Sequence, residues 1–466
     1  MSGAPISTWQ RLQDDVIDAG ICTHCGGCVG LSGDTLQMQE TENGPLPVAQ
    51  GNVRLPSLAY DACPGKGIHY PAANQALFGR LPENWLLGYY RNLYVGYAAT
   101  PHIRRRGASG GVITQILIYL LQRGLVDGAV VLQQGQPRPW LAQPIIARTP
   151  DEIIAASQSV YAPTPVNTIL PQMEAFGGRL AYVGLPDQVA ALRHLQQAGH
   201  KGAGRVEYVL GPYVGTAMYL GAIDSYLRSN GVRSREEIAS LRYREGEWPG
   251  YLQICLRDGR VLRAKKFYYN YLIPFYITQA SLQAVDFSNE LTDISVGDAW
   301  HPRYEVRGEG YSVVVSRSER ASALLQQMVH EGLLELEPIA EKEALGMHGH
   351  MIDFKKRGAF IRNDWRRRSG RPAPSYGYRP QQVPFSRKVI EFFIVFLFAT
   401  CRTQLARRLV QWLPLRFIGP IFDMLRRAWK AASKPVKRQG LRSVTFVVPA
   451  TPGNSTDAAV RNREPI

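Results

Sequence analysis

At 466 residues the chain is long enough for two or three domains, each with its own core. Six cysteines in that length do not make a disulfide scaffold, and the polar, acid-containing Met1–Asp18 does not read as a signal peptide, so a cytoplasmic chain is expected. The net charge of +16 is uneven: Arg387 to Arg442 holds 13 Lys/Arg against 2 Asp/Glu, a surplus of 11, and the remainder is only mildly basic.

Residues 1–80 are dominated by Cys, Gly and Pro, a composition suited to a small segment folded around a metal. Cys22-Thr-His-Cys25-Gly-Gly-Cys28 places three thiols at intervals of three, and Cys63-Pro64 follows 35 residues later. Three close thiolates and a remote Cys-Pro form the ligand pattern of a ferredoxin-type 4Fe–4S site. One loop wraps three corners of the cube, and Gly26 and Gly27 permit the turns and leave N–H groups for the sulfurs. Zinc sites present two separated pairs instead. His24 reads as a neighbour of the site, and Cys255 and Cys401, in apolar stretches, read as packing residues.

From residue 90 to 234 the pattern is α/β. Ser109 precedes an apolar helical run closed by Gly124; strands are predicted at Gly128–Leu132, Arg179–Gly184 and Val206–Leu210, with helices at Gln188–Gln197 and Thr216–Leu227. Short apolar strands alternating with amphipathic helices predict a largely parallel sheet flanked by helices. Ser109, Gly110 and Gly111 open the first helix, where free N–H groups and the dipole favour a phosphate; Arg104, Arg105 and Arg106 stand ready to neutralise one. Equally, Ser109 can be an N-cap and the glycines packing residues. Residues 235–357 read as a mixed α/β domain, in which Asp293 and Asp298 flank a turn, either as acceptors for a ligand or as an Asx-turn.

Residues 358–386, most of them within a basic, Pro/Gly/Ser-rich stretch from Lys355 to Arg379, read as an exposed linker. Lys355–Arg357 and Arg366–Arg368 are then available to dock an acidic protein. Residues 387–432 form a basic amphipathic helical region. The apolar run Val389–Cys401 is shorter than the roughly 20 residues a spanning helix needs, and Trp412, Phe417, Phe422 and Trp429 interleave with arginines downstream. That mixture suits the interface of an anionic membrane, or a basic helix packed on its own domain; it does not suit nucleic acid. Residues 433–466 read as a disordered tail.

Six motifs in order resemble the coenzyme F420 hydrogenase/dehydrogenase beta-subunit family, which also contains 7-hydroxymethyl chlorophyll a reductase and ferredoxin-dependent divinyl chlorophyllide 8-vinyl reductase. They are Cys22-Thr-His-Cys-Gly-Gly-Cys28, Ala62-Cys-Pro-Gly65, Arg106-Gly-Ala-Ser-Gly-Gly111, Gln158-Ser-Val-Tyr161, Val183-Gly-Leu-Pro186 and Asp293-Ile-Ser-Val-Gly-Asp298. The resemblance implies an iron–sulfur flavoprotein oxidoreductase with FAD at Ser109–Gly111. It also implies ferredoxin or coenzyme F420 as redox partner and a further redox subunit. The chain departs from the family at four positions where a cysteine is common, which here are Asp187, Tyr213, Ser281 and Ala284. Their joint loss implies a single 4Fe–4S cluster. It also leaves open an alternative, a catalytically degenerate partner protein at the inner face of a membrane, in a pathway such as surface polysaccharide synthesis.

Overall fold

The computed structural model describes residues 6–265, 270–305, 309–413, 415–449 and 459–460. Its centre is an eight-stranded sheet. The strands outside it are β1 (Leu36–Thr41) and β2 (Gly44–Ala49), an N-terminal hairpin, and β8 (Ile238–Glu245), β9 (Tyr251–Leu256) and β10 (Val261–Lys265), a separate antiparallel sheet. The central strands are β3 (Asn92–Ala98), β4 (Gly128–Gln134), β5 (Ala142–Ala147), β6 (Leu180–Val183), β7 (Val206–Pro212), β11 (Ile294–Asp298), β12 (Ser312–Ser316) and β13 (Leu334–Pro338). They lie in the order β13-β3-β12-β11-β7-β6-β4-β5. The middle pairs β11/β7, β7/β6 and β6/β4 are parallel, and antiparallel strands close both sides. This is the α/β sheet that the strand–helix alternation predicts.

Alternate residues of each strand serve opposite faces. Val130, Val313 and Val315 pack with the helical segments 186–197 and 341–361 on one face; Ala129, Val131 and Val314 pack with helices Val112–Gln122 and Glu319–His330 on the other. Both faces are covered, so the strands are apolar on both sides. The predicted helix at Thr216 begins only at Gly221, because Met218 is held in an isolated bridge to Ile277.

The domain boundaries need correction. β3 to β7 and β11 to β13 belong to one sheet, so residues 90–234 and 235–357 are not two domains. Residues 358–386 are not a linker. Helix Glu341–Asp353 runs through a widened turn, Phe354–Ala359, into helix Phe360–Arg368, and Phe360, Ile361, Tyr376 and Tyr378 are buried in the core. Lys355, Lys356 and Arg357 are buried as well, which removes them as a docking patch. Arg366 is bound to the Ala19 and Pro372 carbonyls, and Arg367 donates to the Pro374 carbonyl at 3.1 Å. The start of the expected tail is ordered too: Leu441, Val444 and Phe446 join the main core, and strand β15 (Phe446–Val447) pairs with β14 (Arg379–Pro380). Residues 450–458 and 461–466 of that tail lie outside the described residues.

Candidate functional site

Cys22, Cys25 and Cys28 sit on a loop that enters the short helix Gly27–Gly30, and Cys63 precedes the turn Pro64–Lys66. All four are free thiols, and together they line one pocket of about 30 Å³. Its other walls are apolar: Leu12, Val16 and Leu31 from the N-terminal segment, Ala191 and Leu195 from helix Pro186–Gln197. The segment is therefore docked on the central sheet. Asn167 fixes the contact, donating its N–H to the Cys25 carbonyl at 2.9 Å while its side-chain oxygen accepts from Tyr182 at 2.6 Å. Gly26 makes the turn with φ of 82°, and a Cβ there would meet Pro165 and Thr168 at 2.9 Å.

Each sulfur has a backbone N–H directed at it. Gly27 donates to Cys25 at 3.5 Å; His24 serves Cys22, Val29 serves Cys28, and Gly65 and Lys66 serve Cys63. Burial pushes all four thiols up, Cys22 to about 12, and the backbone donors only partly oppose it. Four bare thiolates cannot coexist in so apolar a pocket; four thiolates around a cationic iron–sulfur core can, with the N–H donors supporting the sulfurs. Among the described residues no three His, Cys, Asp or Glu side chains converge as a single metal ion requires. Four thiols around one pocket are the donor number of a 4Fe–4S cluster, one thiolate to each corner. His24 lines the same pocket with its Nδ1 on the Pro45 carbonyl at 2.9 Å, and burial holds its pKa down, so the ring is a neutral neighbour.

The four positions without the expected cysteine are filled by packing. Tyr213 lies between Phe287 and His348, with ring centroids 5.1 and 5.3 Å away. Ser281 accepts the Ala217 N–H at 2.9 Å through its hydroxyl, and Ala284 closes a helical turn onto Ala280. Leu185 is the N-cap of the helix that Pro186 and Asp187 open, and the Gln188 side chain accepts its N–H at 2.8 Å. Burial raises the Asp187 carboxyl to about 7, against the pull of the Lys355 ammonium. Lys355 in turn donates to the Ser281 carbonyl at 2.8 Å. A buried lysine thus links two of the four positions. Its place in a basic, Pro/Gly-rich stretch concealed it, and only the apolar Phe354, Phe360 and Ile361 around it hinted at burial.

The Ser109–Gly111 turn departs from expectation. The helix starts at Val112, and its N-cap is Gly111 with φ of 74°, not Ser109. The Gly110 N–H is not free; it donates to the Ser312 hydroxyl at 2.9 Å, and that hydroxyl also meets Ser109 Oγ at 2.7 Å. A Cβ on Gly110 would strike the Gly96 carbonyl at 2.7 Å, so this glycine packs against β3. Of the three arginines, Arg104 pairs with Glu309 at 3.1 Å and stacks on Tyr97, whereas Arg105 and Arg106 are exposed. Arg106 Nε donates to the Ile154 carbonyl at 3.2 Å.

The two aspartates have different roles. Asp293 is structural, not a ligand acceptor. One oxygen takes Arg193 at 3.1 Å and the Val209 N–H at 2.9 Å, and the other takes Ser318 at 3.2 Å. Asp298 is paired with Arg244 at 3.1 Å and accepts from Trp248 Nε1 at 3.1 Å. Arg244, missed in the sequence because a lone arginine in a β-rich stretch carries no signal, is buried and also holds Tyr161 Oη at 3.1 Å and the Ala108 carbonyl. Burial opposes its charge, but Asp298 and Tyr161 outweigh that and raise its pKa. Three of the six motifs therefore meet at one guanidinium. Arg244 Nε and Arg104 Nη2 are buried without a hydrogen-bond partner among the described residues, while Arg244 Nη2 holds the Ala108 carbonyl and Arg104 Nε the Gly310 carbonyl. Two unspent cationic N–H groups beside a glycine turn are a donor set suited to an anionic cofactor.

The models of the coenzyme F420 hydrogenase/dehydrogenase beta subunit match residues 93–171 for its N-terminal part and 177–342 for its C-terminal part. Coenzyme F420 hydrogenase subunit beta of Methanothermobacter thermautotrophicus is 25% identical over 300 residues, 62% of this chain and 99% of that one. The chloroplastic 7-hydroxymethyl chlorophyll a reductase of Oryza sativa subsp. japonica is 30% identical over 333 residues, 68% of this chain and 62% of that one. A chain of the F420-reducing [NiFe] hydrogenase complex from Methanosarcina barkeri superposes with a TM-score of 0.49 at 21% identity, covering 61% of this chain and 96% of that one.

Proposed function

Because the chain belongs to the coenzyme F420 hydrogenase/dehydrogenase beta-subunit family, whose relatives above are named as oxidoreductases, we propose that it is an iron–sulfur flavoprotein oxidoreductase with one 4Fe–4S site at Cys22, Cys25, Cys28 and Cys63. The observation that carries this reading is the pocket of four enclosed thiols, each facing a backbone N–H. When bound, the cluster supplies one-electron transfer and an FAD pairs those electrons for a substrate. The chain's own residues do the rest. Leu12, Val16, Leu31 and Leu195 keep water from the sulfurs. Cys22, Cys28 and Cys63 are half-buried as residues, so the pocket lies close enough to the surface for a donor to approach it. Arg244, held by Asp298, Tyr161 and Ala108, would meet the flavin's anionic part beside the glycine turn. Lys355 and Tyr213 fill the ground where a second cluster would need thiolates.

The donor is ferredoxin or reduced coenzyme F420, and a partner redox subunit is consistent with the relative named as a hydrogenase subunit. Anaerobic purification with iron, sulfide and flavin quantitation tests the assignment. About four irons and one FAD per chain are expected. About eight irons would reject the single cluster, and a flavin-free protein would favour the degenerate partner. Bleaching of the visible spectrum by reduced ferredoxin or by reduced F420 separates the two donors.

A further inference from the structure

Fifteen of the nineteen exposed large apolar side chains among the described residues lie between Phe385 and Trp429. They recur at intervals of three and four along three successive helices. Phe392 and Phe396 stand on Phe385–Cys401, Leu409 and Trp412 on Gln404–Trp412, and Ile421 and Met424 on Leu415–Arg438. That spacing places each set on one helical face. Trp412 is 85% exposed, far beyond what a buried interface within the chain would leave.

The opposite faces are fixed to the protein. Arg387 and Glu391 are buried in ion pairs with Asp353 and Arg362, Arg407 donates to the Phe275 carbonyl at 3.1 Å, and Gln411 bonds Arg228 and Ser225. Helices held along one side by ion pairs cannot be surrounded by lipid. Among the described residues no single helix is long and apolar enough to cross a membrane; the first two pass that test only as a pair and bend by 74° at their junction. Arg387, Glu391, Arg407 and Gln411, tied to the protein along both of these helices, keep the pair from inserting as a span, so it lies flat. The stretch from Arg387 to Arg442 carries a surplus of 11 positive charges, and its internally neutralised Arg387 and Glu391 leave that surplus unchanged. A second copy of the chain would bring that charge against itself.

We propose that these three helices form a platform that sits in the headgroup layer of an anionic lipid bilayer, with the aromatic and aliphatic stripe inserted and Lys388 and Arg408 on lipid phosphates. The proposal stands on this surface alone and does not depend on the redox reading.

Flotation of the anaerobically purified full chain with vesicles tests it. Vesicles containing phosphatidylglycerol should carry the protein, and vesicles of phosphatidylcholine alone should carry far less. Lys388→Gln with Arg408→Gln should lower partitioning about thirtyfold, about fivefold per cation. Phe392→Ser with Phe396→Ser should lower it at least about tenfold. In the wild-type chain, brominated lipid should quench a component of tryptophan emission that Trp412→Phe removes, a readout that needs no destabilising variant. Failure to float with the anionic vesicles would overturn the proposal. So would flotation indifferent to the two cations, or a stable dimer in vesicle-free solution that Phe392→Ser with Phe396→Ser dissociates.

Discussion

Replacing Arg244 by Met tests whether its guanidinium is the joint between the motifs. The side chain is 2% exposed and its partner Asp298 17% exposed, so water cannot solvate the carboxylate fully once the cation is gone. Breaking one side of a buried pair costs about 3–5 kcal/mol. Asp298 keeps the Trp248 N–H at 3.1 Å and some solvent, which places the expected loss near the lower limit, about 3 kcal/mol. Part of that is also the Ala108 carbonyl and the Tyr161 hydroxyl losing their donor. The double variant Arg244→Met/Asp298→Asn leaves no buried charge and should recover all but about 1–2 kcal/mol. Urea unfolding followed by tryptophan emission measures both, and flavin retention in the same samples reads the site. If Arg244→Met costs less than about 1 kcal/mol, or the double variant is no better than the single, the charge-pair argument fails.

Three further outcomes are expected. Cys25→Ser should strip iron and visible absorption, and iron retained at the wild-type level would remove Cys25 from the ligand set. Gly26→Ala combines a left-handed φ with contacts at 2.9 Å to Pro165 and Thr168, and should loosen the N-terminal segment by about 1–3 kcal/mol, seen as faster proteolysis before residue 80. Burial works against the charge of Glu391, but Arg362 and Arg387 prevail and hold its carboxyl below the ordinary 4.5. A lowered folded-state value means stability that is complete above about 4.5 and is lost as the pH falls through the folded value. Glu391→Gln should therefore be the less stable protein at neutral pH, with its deficit against wild type shrinking on acidification; a constant deficit would show that the carboxylate's charge is not what matters.

That the four cysteines share one pocket was readable because their spacing is a local property: three of the thiols sit on one loop. The middle strands were readable because a strand buried on both faces is apolar throughout, as in Val206–Leu210. Charge misled where its partners are distant. Lys356 meets Glu290 66 positions away, Arg362 meets Glu391 29 away, and Arg387 meets Asp353 34 away. Read singly, each lysine or arginine in the Lys355–Arg379 stretch looks solvated, so a buried ionic layer was taken for a linker. At the glycine turn the pattern located a helix start, but not that Ser312, two hundred positions on, would claim the Gly110 N–H. Arg244 could only be found once three separate segments were seen to end on it.

The strand order also dictates a sequence of assembly on the ribosome. Every residue around the thiol pocket lies between Leu12 and Leu195, so that compartment has all its material once less than half the chain has been made. β3, by contrast, pairs only with β12 and β13, and finds its first neighbour only when residue 316 has emerged and its second when residue 338 has. The thiol pocket thus has all its walls while the sheet beneath it still has an open side, an opening that closes with synthesis of the last third of the protein.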